Sequence, residues 1–328
     1  MNPAASANVA AHLPAMARLQ PDTPAIFIPL SNGQQPTRYD QYTFAELDRE
    51  SSRMAHALES IGIRRGVRTV LMVPPGFEFF ALTFALFKVG AIPVLVDPGM
   101  GVKNLKVCLG EAQPQAFIGI PKAHLARVLL GWGKPTVDIL LTVGRRLFWG
   151  GSTLAKLLAS VPDDNHYETL QTEKDDTAAI LFTSGSTGVP KGAVYSHGNF
   201  SAQVELMRQV YGIRPGEIDL PTFPLFALFA PALGMTSVVP EMDFTRPADV
   251  DPSKIIAAIE KFQITTMFGS PALINRVGRY GEAQGIKLPS LKRAISRWRR
   301  FTTTSCSNSI LFQTSPKSRA CASRTPIS

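Results

Sequence analysis

"RTVLMVPPGFEFFALTFALFKVGAIPVLV", residues 68–96, reads as strand, helix, strand. "RTVLMV" and "AIPVLV" are short apolar runs of the kind that buried parallel strands show. The run between them is too long and too evenly apolar for a strand, and it closes on Gly90, the residue that most readily ends a helix. Two strands joined through a helix pack side by side as a parallel βαβ unit.

The same rhythm continues in both directions. Upstream, "YTFAELDRESSRMAHALESIGI" sets Phe44, Leu47, Ser51, Met54, Ala55, Leu58 and Ile61 at helical spacing, with Thr43 as the expected cap and Gly62 as the stop. Downstream, "AFIGI", "VDILLTV" and "TAAILF" read as strands, with helices around Asn104–Glu111 and His124–Leu130. Alternation of this kind predicts an α/β fold built on mostly parallel, doubly wound sheets. Further on, Asp251 caps a helix that has Pro252 in its first turn and Ile255, Ile256, Ile259 and Phe262 on one face. A strand and a Gly269-Ser270-Pro271 turn follow, which predicts a second βαβ-type subdomain.

Directly after "TAAILF" comes "TSGSTGVPKG", residues 183–192. Hydroxyls, together with the backbone N–H groups that glycine leaves uncovered, can surround phosphate oxygens, and a lysine offsets their charge. The carboxyl end of a parallel strand is where such a loop meets the ligand crevice. The segment is neither a Walker A loop, since Pro190 and Gly192 stand where Gly and Ser/Thr belong, nor a dinucleotide GxGxxG pattern.

Thr183-Ser184-Gly185-Ser186-Thr187-Gly188-Val189-Pro190-Lys191-Gly192 resembles the phosphate loop of the adenylate-forming superfamily of acyl-CoA synthetases, luciferases and peptide-synthetase adenylation domains. The likeness runs over nearly all of residues 1–296 and includes Lys88-Val89-Gly90-Ala91, Asp97-Pro98 and "YSHGNF", where His197 and Asn199 begin a helix. It implies the large N-terminal domain of such an enzyme, with two subdomains, the second incomplete. It also implies that Thr183, Ser184, Gly185, Ser186, Thr187, Gly188 and Lys191 hold the phosphates of ATP. Lys191 and Thr183 are then the catalytic pair. His197 reads as a capping or packing residue rather than a catalyst.

"PLFALFAPALG" resembles the substrate-side motif of the family, with Ala227 where the CoA ligases commonly have histidine. Phe226, Ala227, Phe229, Leu233 and the Gly269-Ser270-Pro271 turn are the expected substrate contacts, although Phe226, Phe229 and Leu233 suit a plain core equally well. The stretch from Pro224 to Ile255 resembles the branch of the family that uses ATP to close a long-chain β-hydroxy acid into a β-lactone on the way to an olefin. The implied reaction is activation of a fatty or β-hydroxy fatty carboxylate as acyl-AMP, with ATP and Mg2+ required. CoA enters only if the alternative, a fatty acyl-CoA ligase, holds. A non-catalytic nucleotide-binding fragment is the other reading. No protein metal ligands are expected, and association with other enzymes of the pathway is.

The formal charge of +9 is unevenly spread. Residues 297–328 hold six Lys/Arg and no acid, which leaves 28 basic against 25 acidic residues in the rest. A nucleic-acid partner is therefore not expected. This segment is rich in Ser and Thr, lacks periodicity, and holds Cys306 and Cys321. It reads as a foreign or disordered tail, as from a frameshift, and the family's later magnesium, ribose and lysine motifs have no counterpart in it. Little turnover and poor solubility are the corresponding expectations. The cysteine pattern has no metal or disulfide spacing, and no secretory leader is legible, so a cytoplasmic location is expected. Leu220–Pro240 is uncharged and long enough to span a bilayer, but four prolines predict a buried bent loop and short helix instead.

Overall fold

The computed structural model describes residues 6–30, 37–96, 100–163, 166–182, 192–223 and 229–296. The chain opens with helix α1 (His12–Leu19), strands β1 (Pro24–Leu30) and β2 (Arg38–Thr43), and helix α2 (Phe44–Ser60). At Thr43 the predicted cap is a full capping box: its hydroxyl accepts from Glu46 N, and the Glu46 carboxylate accepts from Thr43 N. Two orphan amides are satisfied at once, which fixes the start of α2. Gly62 ends the turn at φ +90°.

The βαβ unit of the opening stretch is β3 (Arg68–Met72), α3 (Phe77–Lys88) and β4 (Ile92–Val96), with β3 and β4 parallel. Every residue of α3 from Phe79 to Lys88 is buried, as its all-round apolar sequence requires. Gly90 stands at φ +68°, a backbone conformation that favours glycine, and a Cβ there would also press on the Leu170 side chain. The chain continues through α4 (Val102–Ala112), β5 (Ala116–Gly119), α5 (Pro121–Leu130), β6 (Ile139–Thr142), β7 (Ser152–Thr153), α6 (Leu154–Leu158), β8 (Thr177–Phe182), β9 (Gly192–Ser196) and α7 (His197–Tyr211). The seven strands β3–β9 form one sheet in the order β7-β6-β5-β3-β4-β8-β9, parallel but for the edge strand β9. Helices α2 and α3 cover one face with the main core, and α4 and α5 cover the other around Val70, Val94, Leu109 and Phe117.

The second sheet draws on both ends of the described chain. It is ordered β13-β12-β10-β11-β1-β2, with β10 (Ile218–Pro221), β11 (Thr236–Val238), β12 (Thr266–Phe268) and β13 (Arg293–Ile295) parallel to β1 and only the edge strand β2 antiparallel. Helices α9 (Pro252–Phe262) and α10 (Pro271–Ala283) cover one face, where Ile255, Ile256 and Ile259 meet Leu220, Val238 and Met267. The Asp251 carboxylate accepts from Ser253 N, and Pro252 opens α9.

Between Leu220 and Pro240 the expected short helix is present as α8 (Phe229–Ala232), but strands β10 and β11 flank it where a loop was expected. Short strands broken by proline give too little alternation to read from the sequence. Among the described residues no helix is long and apolar enough to cross a membrane.

Candidate functional site

Parallel strands all end at the same edge of a sheet, and that edge leaves a crevice. Here β3, β4, β5 and β8 end at a cavity of about 560 Å³, walled by Leu71, Met72, Leu95, Val96, Ile120, Leu181 and Phe182. Trp132 and the α5 residues Ala123 and Ala126 close one side. The second sheet closes the other with Phe223, just past β10, and with Met242–Thr245, past β11. The volume falls within the roughly 300–1,000 Å³ usual for small-molecule sites. Among the described residues, charged groups touch the wall only at Lys122 and Asp243. Asp243 accepts from the amide and hydroxyl of Thr245 at 2.8 and 2.7 Å, and these bonds hold its carboxyl below the usual range.

The Gly269-Ser270-Pro271 turn sits at the corresponding edge of the second sheet. Ser270 caps α10 by accepting from Leu273 N at 3.2 Å, and Pro271 takes the first helical position. The Thr222 amide and hydroxyl both donate to Phe268 O, at 2.9 and 2.8 Å. A Cβ on Gly269 would lie 3.1 Å from Thr222 Oγ1, so the turn and the end of β10 are locked together. Phe223, the next residue after Thr222, lines the cavity. Two loops from the second sheet therefore converge beside the carboxyl edge of the first.

Phe229 is buried in the main core, its ring 5.7 Å from Phe200, and is not one of the cavity-lining residues. Leu233 belongs to the same core. Phe226 and Ala227 lie outside the described residues, as do Thr183, Ser184, Gly185, Ser186, Thr187, Gly188 and Lys191. The strands on either side of the glycine-rich segment are described: β8 ends at Phe182 on the cavity wall, and β9 returns antiparallel from Gly192.

His197 opens α7, but Ser196 and Asn199 supply the cap, each side chain accepting from the other's amide. The imidazole is buried at 6.1 Å from the Phe87 ring, and burial pushes its pKa down to about 4. It packs as a neutral ring. The walls at Met72, Val96, Ile120 and Phe182 escaped the motif-based reading, although each is at or just past the carboxyl end of a strand legible in the sequence. The edge rule for parallel sheets was the available signal.

The family described as "AMP-binding enzyme" matches residues 13–308. The chain belongs to the AMP-binding enzyme family. Two relatives within it are each named "Olefin beta-lactone synthetase". The chain is 52% identical to that of Stenotrophomonas maltophilia (strain K279a) over 292 residues, which cover 88% of this chain and 52% of the relative. It is 53% identical to that of Xanthomonas campestris pv. campestris over 291 residues, or 88% and 51%. This AMP-binding chain thus spans about half the length of the curated relatives it matches. Among solved structures, a long-chain-fatty-acid-CoA ligase from Archaeoglobus fulgidus has the same fold, with a TM-score of 0.74 at 21% identity over 89% of this chain and 57% of that one.

Proposed function

We propose that this chain carries the ATP-handling and acid-binding part of an enzyme that activates a long-chain β-hydroxy carboxylate. One observation carries the reading. Phe182, the residue immediately before the Thr183–Lys191 segment, is also a wall of the apolar cavity, so a phosphate-binding sequence starts at the lip of a hole suited to a hydrocarbon chain. An acid whose chain fills that cavity would bring its carboxylate to the strand edge. Relatives half identical to the chain and named for β-lactone synthesis support a β-hydroxy acid as the substrate.

In the proposed reaction a carboxylate oxygen attacks the α-phosphorus of ATP, and the bond to pyrophosphate breaks. The acyl-AMP is then closed by the substrate's own β-hydroxyl, which forms the ring C–O bond, expels AMP and gives its proton to solvent. Holding both groups in one molecule supplies the proximity that an intermolecular acceptor lacks. The hydroxyls and amides of residues 183–188 and the Lys191 ammonium would neutralise phosphate charge as it shifts toward pyrophosphate. Magnesium would arrive with ATP as its counter-ion; among the described residues no three His, Cys, Asp or Glu side chains gather into a metal site. We place the adenylation unit at residues 1–296 and the Ser/Thr-rich segment at 297–328 outside it. A thioester-forming ligase is the second reading, and Ala227 in the place of the expected histidine weighs against it.

Carboxylate-dependent exchange of labelled pyrophosphate into ATP, with fatty and β-hydroxy fatty acids compared, tests the reading. Exchange that favours the β-hydroxy acids and is lost in Lys191→Ala is expected. ATP binding without exchange would reduce the assignment of this chain to a nucleotide-binding unit, and a thioester formed on adding CoA would favour the ligase.

A further inference from the structure

Helix α5 has two apolar sides. Ala123 and Ala126 line the cavity, while Leu125, Val128 and Leu129 face outward, Leu129 being 74% exposed. After β6 the chain adds Leu147 and Phe148, and Phe148 is 70% exposed. The two groups share one side of the molecule. Trp149 stacks on His124 of α5 at 5.2 Å with ring planes 5° apart, and Phe148 meets Trp149 edge-on at 5.5 Å. In helical projection His124 borders Val128, so the loop abuts the outward face of α5.

The loop that presents Phe148 is firmly built. Trp149 Nε1 donates to Thr142 Oγ1 at 2.9 Å, Arg146 donates to Gly151 O, and Gly151 stands at φ +75° with Leu140 O where a Cβ would fall. Two large apolar side chains fixed in water by a closed loop and a helix are costly unless something covers them.

Charge indicates what does. Lys122, Arg145 and Arg146 rim the patch, all three exposed. Between Pro121 and Thr153 the sole acidic residue is Asp138, at the amino end of β6 and so at the far end of that strand from the loop. The exposed apolar residues of α7 lack this setting: Leu206 and Val210 are interspersed with Glu205 and Arg208.

We propose that this face docks on an anionic lipid bilayer, with Leu125, Leu129 and Phe148 entering the headgroup boundary while Lys122, Arg145 and Arg146 meet lipid phosphates. Apolar side chains ringed by cations bind such surfaces through both terms together, and neither suffices alone. The cavity lies on the other side of α5, so docking would hold its Lys122 wall beside the lipid from which an apolar substrate could be drawn. That last clause rests on the proposed function; the docking itself does not.

The test is sedimentation of the full chain with vesicles of phosphatidylcholine alone and of equal parts phosphatidylcholine and phosphatidylglycerol, without ATP or acid. Because residues 297–328 are basic, variants of the same full chain are compared. The unchanged chain is expected to pellet with the anionic vesicles. Arg145→Glu with Arg146→Glu is expected to weaken binding at least about thirtyfold, and Leu129→Ser with Phe148→Ser about tenfold. Thermal melts confirm folding of each pair, and either pair alone decides. Binding unchanged in a folded pair, equal binding to neutral vesicles, or no binding at all overturns the proposal. So does self-association abolished by Leu129→Ser with Phe148→Ser in a chain that ignores vesicles, which would make the patch a contact between copies.

Discussion

Across the seven-stranded sheet, one level of paired residues runs Leu140, Phe117, Val70, Val94, Ile180 from β6 to β8. Across the six-stranded sheet a level runs Ile26, Ser237, Asp219, Thr266, Arg293 from β1 to β13. The first row needs nothing but apolar burial. The second buries a carboxyl and two hydroxyls and ends in a half-buried guanidinium on the edge strand, and each must be satisfied separately. Arg293 is: it donates to Thr266 Oγ1 at 3.0 Å and pairs with Glu217, whose carboxyl this interaction helps hold below its usual range despite burial. Asp219 is less well served, since burial pushes its carboxyl up to about 8. Two sheets of one architecture thus differ in kind, one stable through contact area and the other conditional on protonation.

The sharpest way to break the contrast is Val70→Asp. A charge placed at the centre of the apolar row has no partner there, and a loss of more than about 4 kcal/mol, enough to unfold the chain, is expected in denaturant titration. If the variant folds with little loss, the rows do not differ as described.

Buried charge on the first sheet's side has its partner built in. Lys88, fully buried on α3, donates to Asp48 Oδ1 at 2.7 Å and to Ser52 Oγ at 2.8 Å. Asp48→Ala leaves that buried ammonium without its counter-charge, with only Ser52 Oγ and a backbone carbonyl to accept from it, and is expected to cost about 3 kcal/mol. Asp219→Asn should act in the opposite direction and gain about 2 kcal/mol near pH 8. An acid whose folded pKa of about 8 exceeds its ordinary 3.8 takes up a proton on folding, so its penalty is absent below pH 3.8 and grows as pH rises to about 8. A variant that melts no higher than the parent at pH 8 would remove Asp219 from the account.

The smallest effect belongs to His197. Its folded pKa of about 4 lies below its ordinary 6.5, so the unfolded chain takes up the proton first and stability falls as pH drops through that window. Between pH 7 and pH 5 this contribution falls by on the order of 1–2 kcal/mol, and His197→Gln should remove it and leave the opposite slope of Asp219 uncovered. This slope opposes that of Asp219, so the parent chain should show a shallower profile than either variant.

The first sheet was largely legible in the sequence, and the second was not. Strands β3, β4, β5, β6 and β8 are buried on both faces, so each stands out as an apolar run between turns. Strand β2, "RYDQYT", is a polar edge, and β10 and β11 are short and carry Asp219, Pro221, Thr236 and Ser237, so none shows a clean period. Strand β1 pairs locally only with the polar β2; its other partner, β11, lies more than two hundred residues away, which no local window holds. At the site, the proposed phosphate chemistry is read from Thr183–Lys191 because those residues are consecutive in the sequence. The cavity was not legible, since its described walls come from separate stretches spread between Leu71 and Thr245 and become neighbours only after folding.

The pairing of Ile26 with Ser237 also sets a schedule. A ribosome adding about 5–20 residues per second needs roughly 10–40 s to travel that distance. The first sheet, continuous between Arg68 and Ser196, can assemble during that interval. The β1–β2 ribbon cannot close its sheet until β11 emerges, so the backbone edge of β1 at Ile26 and Phe27 spends the wait unpaired. The nascent chain is then exposed to aggregation at its beginning rather than at its growing end.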